Sequence, residues 1–243
     1  MIHYHGLPIT PATAAAEVLT GRHAFVSFLA KDQIEIALEV CQSFAVDNGA
    51  FSAWKSGKQI WWPDYFDWVR SIKNHPNFDF AVIPDVIDGN EFDNDELIDA
   101  WPHEPHLSAP VWHMHESIDR LVRLAEHFPR VCIGSSGEFA RVGDGKWWVR
   151  MAQALDAICV DGLPCCKLHG LRMLDPAIFS RLPLASADST NIAQNIGIDN
   201  NWRGTYTPPD KAWRARVMAA RIESHNGAQR WSGLSNQSEF DLS

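Results

Sequence analysis

The chain has 243 residues, 46% hydrophobic and 21% charged, enough apolar content for one large core and too much for extended disorder. Its 21 basic and 30 acidic side chains give a net charge of −9, which argues against a protein that coats nucleic acid by general cationic attraction and leaves room only for a local basic track. No run approaches the roughly 18 apolar residues of a membrane helix.

The start, Met1 to Gly6, lacks the basic and apolar regions of a signal peptide. The five cysteines include no Cys-x-x-Cys pair and read as reduced, buried thiols of a cytoplasmic protein. Along the chain, short apolar runs alternate with amphipathic ones. A strand at 2–5 precedes an Ala-rich helix at 11–20, with Thr10 as cap and Pro11 in the first turn. A strand at 24–29 leads to a helix at 32–42. A strand at 43–47 leads to a helix opened by Pro63, with Phe66, Val69 and Ile72 on one face. The strand 78–84 is followed by a helix at 94–101 behind Asp93, and the strand 109–114 by a helix at 118–128 capped by Ser117. The strand 130–134 precedes a helix at 146–159 carrying Trp148, Met151, Leu155 and Ile158. The strand 164–169 precedes a short helix from Asp175-Pro176, and 183–188 is the last strand. A C-terminal helix at about 208–224 follows, opened by Pro208-Pro209-Asp210 with Trp213 and Val217 as its docking face, and 233–243 read as a flexible tail. Alternating βα units predict an α/β fold with a parallel sheet, and eight of them predict a single-domain (β/α)8 TIM barrel over 1–232. An open doubly wound sheet is the alternative, but no Gly-x-Gly-x-x-Gly follows a strand.

In such barrels the chemistry sits at the C-terminal ends of the strands. Here those ends read His3/His5, Asp47-Asn48-Gly49, Asp85, His113/His115, Ser135-Ser136-Gly137-Glu138, Lys167/His169 and Asp188-Ser189. Each has a plainer reading as well: Asn48-Gly49 is a turn pair, and Asp188 suits a cap for a helix at 190–196. Several carboxylates on one rim repel one another, an arrangement that is costly without a use. Gly49 permits close approach of a ligand to Asp47, and Phe51 offers a stacking face. Small neighbours of Asp188 (Ala185, Ser186, Ala187) leave space for attack on a substrate carbon. The loop from Gly134 to Glu138 has amides suited to an anion or a base edge, without the Lys-Ser/Thr of a P-loop.

These motifs, in this order over about 40–190, resemble the tRNA-guanine transglycosylases and their DNA-modifying relatives. Asp47-Asn48-Gly49-Ala50-Phe51-Ser52 is similar to the family's Asp-Ser-Gly-Gly-Phe-Gln. Val82-Ile83-Pro84-Asp85 matches its base-binding Asp, and Gly134-Ser135-Ser136-Gly137-Glu138 its longer Gly-Gly-Leu-Ala-Val-Gly-Glu. Leu168-His169-Gly170 resembles its Leu-Met-Gly, and Asp188 stands where its nucleophilic Asp ends the last strand. The family is a (β/α)8 barrel that exchanges guanine in a polynucleotide for a 7-deazaguanine. The resemblance implies Asp188 as nucleophile on C1′ and Asp47 as general acid/base. It places Asp85 on the guanine edge and the amides of Gly134, Ser135 and Ser136 on the guanine carbonyl, with Phe51, His113, Glu138 and His169 lining the pocket. It requires no cofactor and no catalytic metal. The tRNA enzymes also carry a three-Cys, one-His zinc site after the barrel. No cysteine follows Cys166 here, and the chain is shorter. Both departures point to DNA rather than tRNA, with a base such as 7-cyano-7-deazaguanine, as in compact relatives that are often phage-encoded and act in the host cytoplasm.

A polynucleotide needs a cationic track. Segments 54–73 (with Lys55 and Lys58), 141–150 (Arg141, Lys146) and 203–230 (Arg203, Arg214, Arg216) interleave bases with tryptophans, although the last also reads as a docked helix with a wet Arg face. The acids from Asp85 to Asp99 read as a solvated helix face. Two rival readings stand beside the resemblance. His3-Tyr4-His5, His113, His115, His169 and Asp188, with Lys167 as a bridge, superficially fit a metal-dependent amidohydrolase. A non-catalytic nucleobase-binding barrel is the other, since Ala50 and Ser52 replace the family's Gly and Gln.

Overall fold

Buried residues run unbroken through the strands rather than alternating, as expected of a parallel sheet covered on both faces. The computed structural model describes residues 1–197 and 206–233, and the expected contact of Arg203 and nearly all of the expected tail lie outside them. The strands are β1 (Ile2–Gly6), β2 (His23–Ser27), β3 (Ser43–Asp47), β4 (Phe78–Val82), β5 (Ser108–Ala109), β6 (Val111–His113), β7 (Arg130–Gly134), β8 (Cys159–Val160), β9 (Leu163–Pro164), β10 (Lys167–Gly170) and β11 (Ser186–Ser189). Nine of them form one parallel sheet in the order β5-β4-β3-β2-β1-β11-β10-β7-β6. Its two end strands are separated in sequence by Pro110 alone, so the sheet curls into a nearly closed barrel.

Ten helices flank this sheet among the described residues: α1 (Ala12–Leu19), α2 (Ile34–Val40), α3 (Ala50–Ser56), α4 (Trp62–Ile72), α5 (Glu91–Ala100), α6 (Ile118–His127), α7 (Gly145–Ile158), α8 (Pro176–Phe179), α9 (Asn191–Asn195) and α10 (Lys211–Glu223). Two apolar clusters fill the space between sheet and helices. A third, built on Tyr4, Phe25, Phe80, Val111 and Cys132, fills the interior. There the Tyr4 hydroxyl donates to Asp79, and Arg130 donates to the other oxygen of Asp79 at 3.1 Å while lying 4.0 Å over the Phe80 ring. This packing makes the interior a core and confines open chemistry to its ends.

Several expected boundaries move for physical reasons. The expected strand 109–114 is split at Pro110, which has no N–H to donate to a neighbour. Pro11, not Thr10, occupies the cap position of α1, and no side chain caps it. The α5 helix begins earlier than expected, because Asn90 and Asp93 form a reciprocal capping box. In α4 the fully buried stripe is Tyr65 and Val69, with Phe66 only half-buried. In α7 it is Trp147 rather than Trp148 that is sealed. Trp213 of α10 is 56% exposed, and the helix docks instead through Ala212, Ala215, Met218, Ala219 and Ile222. The small α3 helix and the antiparallel β8–β9 pair have no counterpart in the predicted elements. Ser117 and Asp175 do cap their helices. All five cysteines are free thiols, but Cys165 is exposed, unlike the buried thiols expected.

Candidate functional site

The strand register decides which polar ends meet. Along β1, Tyr4 points into the interior, which turns His3 and His5 the other way. His3 Nε2 lies 3.0 Å from the His225 carbonyl, and His5 Nε2 lies 2.9 Å from Glu223, which also holds Arg22. Lys167 begins β10 and lines a cleft of about 530 Å³ with Pro129 and Pro183, at the opposite end of the barrel. The histidine and lysine set of a metal-dependent hydrolase therefore does not converge. Among the described residues no group of three or more His, Cys, Asp or Glu side chains is arranged to hold a metal ion.

Asp47, Asp85 and Asp188 do come together. Asp47 ends β3 beside Ser27 of β2, and the Gly49 amide donates to its Oδ2 at 3.1 Å. Gly49 has φ +83°, and a methyl group there would meet Leu29 at 2.8 Å, so the turn that supplies this amide requires glycine. Burial pushes the Asp47 carboxyl up to about 7, and the charges of Asp188 and Asp85 push in the same direction. A carboxylic acid poised at neutrality suits proton transfer in both directions.

Asp85 follows β4 and is 7% exposed. The buried Asn48 amide donates to its Oδ1 at 2.7 Å and to the Ile83 carbonyl at 2.8 Å, which orients the carboxylate. His113 Nε2 stands 2.8 Å from Asp85 Oδ2 but off the hydrogen-bonding direction. A carboxylate has about four lone-pair sites, so Asp85 retains acceptor capacity. Asp188, at the end of β11, is 5% exposed and accepts from the Arg172 amide at 2.9 Å. It does not cap a helix: Thr190 is the residue before α9, and Ser189 Oγ accepts from Asn191.

His169 lies beneath Asp188, fully buried. Its Nδ1 is 2.8 Å from Ser186 Oγ, and its Nε2 is 3.4 Å from Asp188 Oδ1 without hydrogen-bond geometry. Its ring stacks on Phe25, so it forms the floor beneath Asp188. Burial lowers its pKa, against a pull upward from Asp188. Thus Nε2 of both His113 and His169 is buried against a carboxylate of the mouth without hydrogen-bond geometry.

In the Gly134–Glu138 loop, expected to act through its amides, the serine hydroxyls are engaged by neighbours and Glu138 turns away from the expected pocket. Ser135 Oγ accepts from the Trp147 indole at 2.8 Å, and Ser136 Oγ lies 2.7 Å from His115 Nδ1. Glu138 is exposed and pairs with Lys146 at 3.2 Å. Gly134 packs against His113, where a methyl group would come within 3.2 Å of the ring. Phe51, in the first turn of α3, is capped by a residue the sequence did not single out: the Arg172 guanidinium lies 3.3 Å over its ring. Arg172 has φ +59°, one of only two non-glycine residues with positive φ among those described. Burial lowers its pKa, with Asp188 and Asp47 pulling upward. The signal available in the sequence was a cation just beyond a strand end, in Leu171-Arg172-Met173.

The expected nucleic-acid contacts divide. Lys55, Lys58 and Arg141 are exposed, and Trp54 and Trp61 stand out beside the first two. Arg214 instead donates to the Pro208 and Ile196 carbonyls, and Arg216 pairs with Glu17 of α1 at 2.7 Å. Both tie α10 to its surroundings. In the acidic stretch, Asp85 turns into the mouth, whereas Asp95 pairs with Arg120 and Arg123.

Comparison of the chain with protein-family models, with curated proteins and with solved structures finds no match.

Proposed function

We propose that the protein is a guanine transglycosylase, exchanging guanine in a polynucleotide, DNA in preference to tRNA, for a 7-deazaguanine. With β5 and β6 counted as one strand across Pro110, the sheet is a closed (β/α)8 barrel in a single domain, with its site at the C-terminal mouth. The observation that carries the reading is the convergence of Asp47 and Asp188 there, with Asp47 held near neutrality and Asp85 oriented beside them.

On this reading a carboxylate oxygen of Asp188 attacks C1′ of the target nucleoside. The C1′–N9 bond breaks, and guanine leaves with that electron pair and takes the proton of Asp47. The incoming 7-deazaguanine then gives its N9 proton to the Asp47 carboxylate and attacks C1′, and the bond from C1′ to Asp188 breaks. The sequence is two displacements at one carbon, as in retaining glycoside chemistry. Asp85 accepts from N1–H and the exocyclic amine of the base. As the resemblance implies, the guanine carbonyl goes to the backbone amides of that loop, whose Ser135 and Ser136 hydroxyls are engaged elsewhere. The Arg172 amide holds Asp188 in line, with His169 packed beneath it. A target inside a duplex must first be flipped out, at a cost of a few kcal/mol.

The test is covalent trapping. Incubation with a guanine-containing DNA strand followed by a denaturing gel is expected to show a protein–DNA adduct that disappears in Asp188→Asn. Equal behaviour of the two proteins removes the mechanism.

A further inference from the structure

The mouth gathers three carboxylates, and a polynucleotide brings phosphates to them. Arg172 answers that repulsion. It follows β10, whereas Phe51 follows β3, four steps away in the strand order and on the facing side of the mouth. The Arg172 side chain therefore reaches across the opening, anchored at its own amide to Asp188 and resting its guanidinium on Phe51 at 3.3 Å. Among the described residues no carboxylate pairs with that guanidinium, which rests on the aromatic face. A guanidinium can stack on a ring and still present its N–H edge to a phosphate bidentately.

We propose that Arg172 is a specificity-determining residue that binds a phosphate flanking the target nucleoside, so that the site takes a nucleotide within a strand rather than a free nucleoside. The role rests on the transglycosylase reading and adds the substrate contact which that reading lacks. In the unliganded protein the guanidinium covers the Phe51 face. When a strand enters, it moves to the phosphate and uncovers that face for the purine. The cation next to Asp47 and Asp188 is thus exchanged between an aromatic partner and an anionic one, with no bond made or broken.

The experiment measures binding of a guanine-containing single-stranded DNA oligonucleotide across a salt series, and binding of free guanine, for wild type, Arg172→Gln and Arg172→Lys. Arg172→Gln is expected to weaken oligonucleotide binding about tenfold and to lower the slope of log affinity against log salt by about one. Its affinity for free guanine does not fall and is expected to rise, because the Phe51 face is no longer covered, and that retention also verifies that the mouth is folded. Arg172→Lys keeps the wild-type slope. An Arg172→Gln protein that binds the strand like wild type, or that loses strand and free guanine equally, overturns the role of Arg172 alone. A wild type that binds neither overturns the transglycosylase reading with it.

Discussion

On the proposed function, Asp47 links catalysis to stability. Its folded pKa, about 7, lies above the ordinary carboxylate value of 3.8, so protonation favours the folded state. That stabilisation is complete below about pH 4 and is lost as pH rises through about 7, when a buried charge must form among like charges. Asp47→Asn keeps the size and removes the charge. It is expected to melt higher than wild type at pH 8, by up to about 4 kcal/mol, because each tenfold difference in proton affinity between folded and unfolded chain is worth about 1.4 kcal/mol. The difference is expected to vanish near pH 4. Melting curves that differ equally at both pH values would show that the carboxyl is not held near neutrality. On the proposed mechanism the same substitution removes the proton carrier, so the more stable protein is expected to be the slower one, a common opposition at active sites.

Among the elements, α10 is found where it was expected but uses its cations differently. The basic residues of α10 read equally well as a nucleic-acid track or as the wet side of a docked helix. Arg214 is bonded to two backbone carbonyls and Arg216 to Glu17, so these cations hold the helix on α1 and the segment before it. Arg214→Ala is expected to cost about 1–3 kcal/mol in chemical denaturation, from two carbonyls left without their donor, and to leave the salt dependence of DNA binding unchanged. A lowered salt slope with unchanged stability would return the helix to the nucleic-acid surface. For the proposed polynucleotide, the exposed Lys55, Lys58, Trp54 and Trp61, grouped on and just after α3, are the better track. They stand on the segment that carries Phe51, directly beside the mouth.

For the whole molecule, a net charge of −9 makes association with a polyanion depend on where its cations lie, and so on ionic strength. Base exchange with labelled guanine is expected on DNA in preference to matched RNA, more readily on single strands than on duplex, and weakening steeply with added salt. Exchange on RNA alone would overturn the choice of substrate. Exchange on neither, with or without a 7-deazaguanine, would overturn the function. The strands and their ends are legible because a buried parallel strand leaves a continuous apolar run, and its last residue is the first that is free to be polar. By that route Asp47, Asp85, His113 and Asp188 fall at one end of the barrel on sequence grounds. What cannot be read is direction: a one-residue change of register turns every side chain of a strand to the other face. His3 and His5 look as functional as His113 in the sequence, and they point outward only because Tyr4 points in. Arg172 is invisible for a related reason, since its partner lies 121 positions away in sequence, across the opening. The linear order of residues determined the βα alternation and the run of acids that end its strands, because local polarity and propensity suffice for that. Which acids face one another, what charge Asp47 carries at neutral pH and which cation spans the opening were decided only when the sheet curled round, because those are properties of distance and burial.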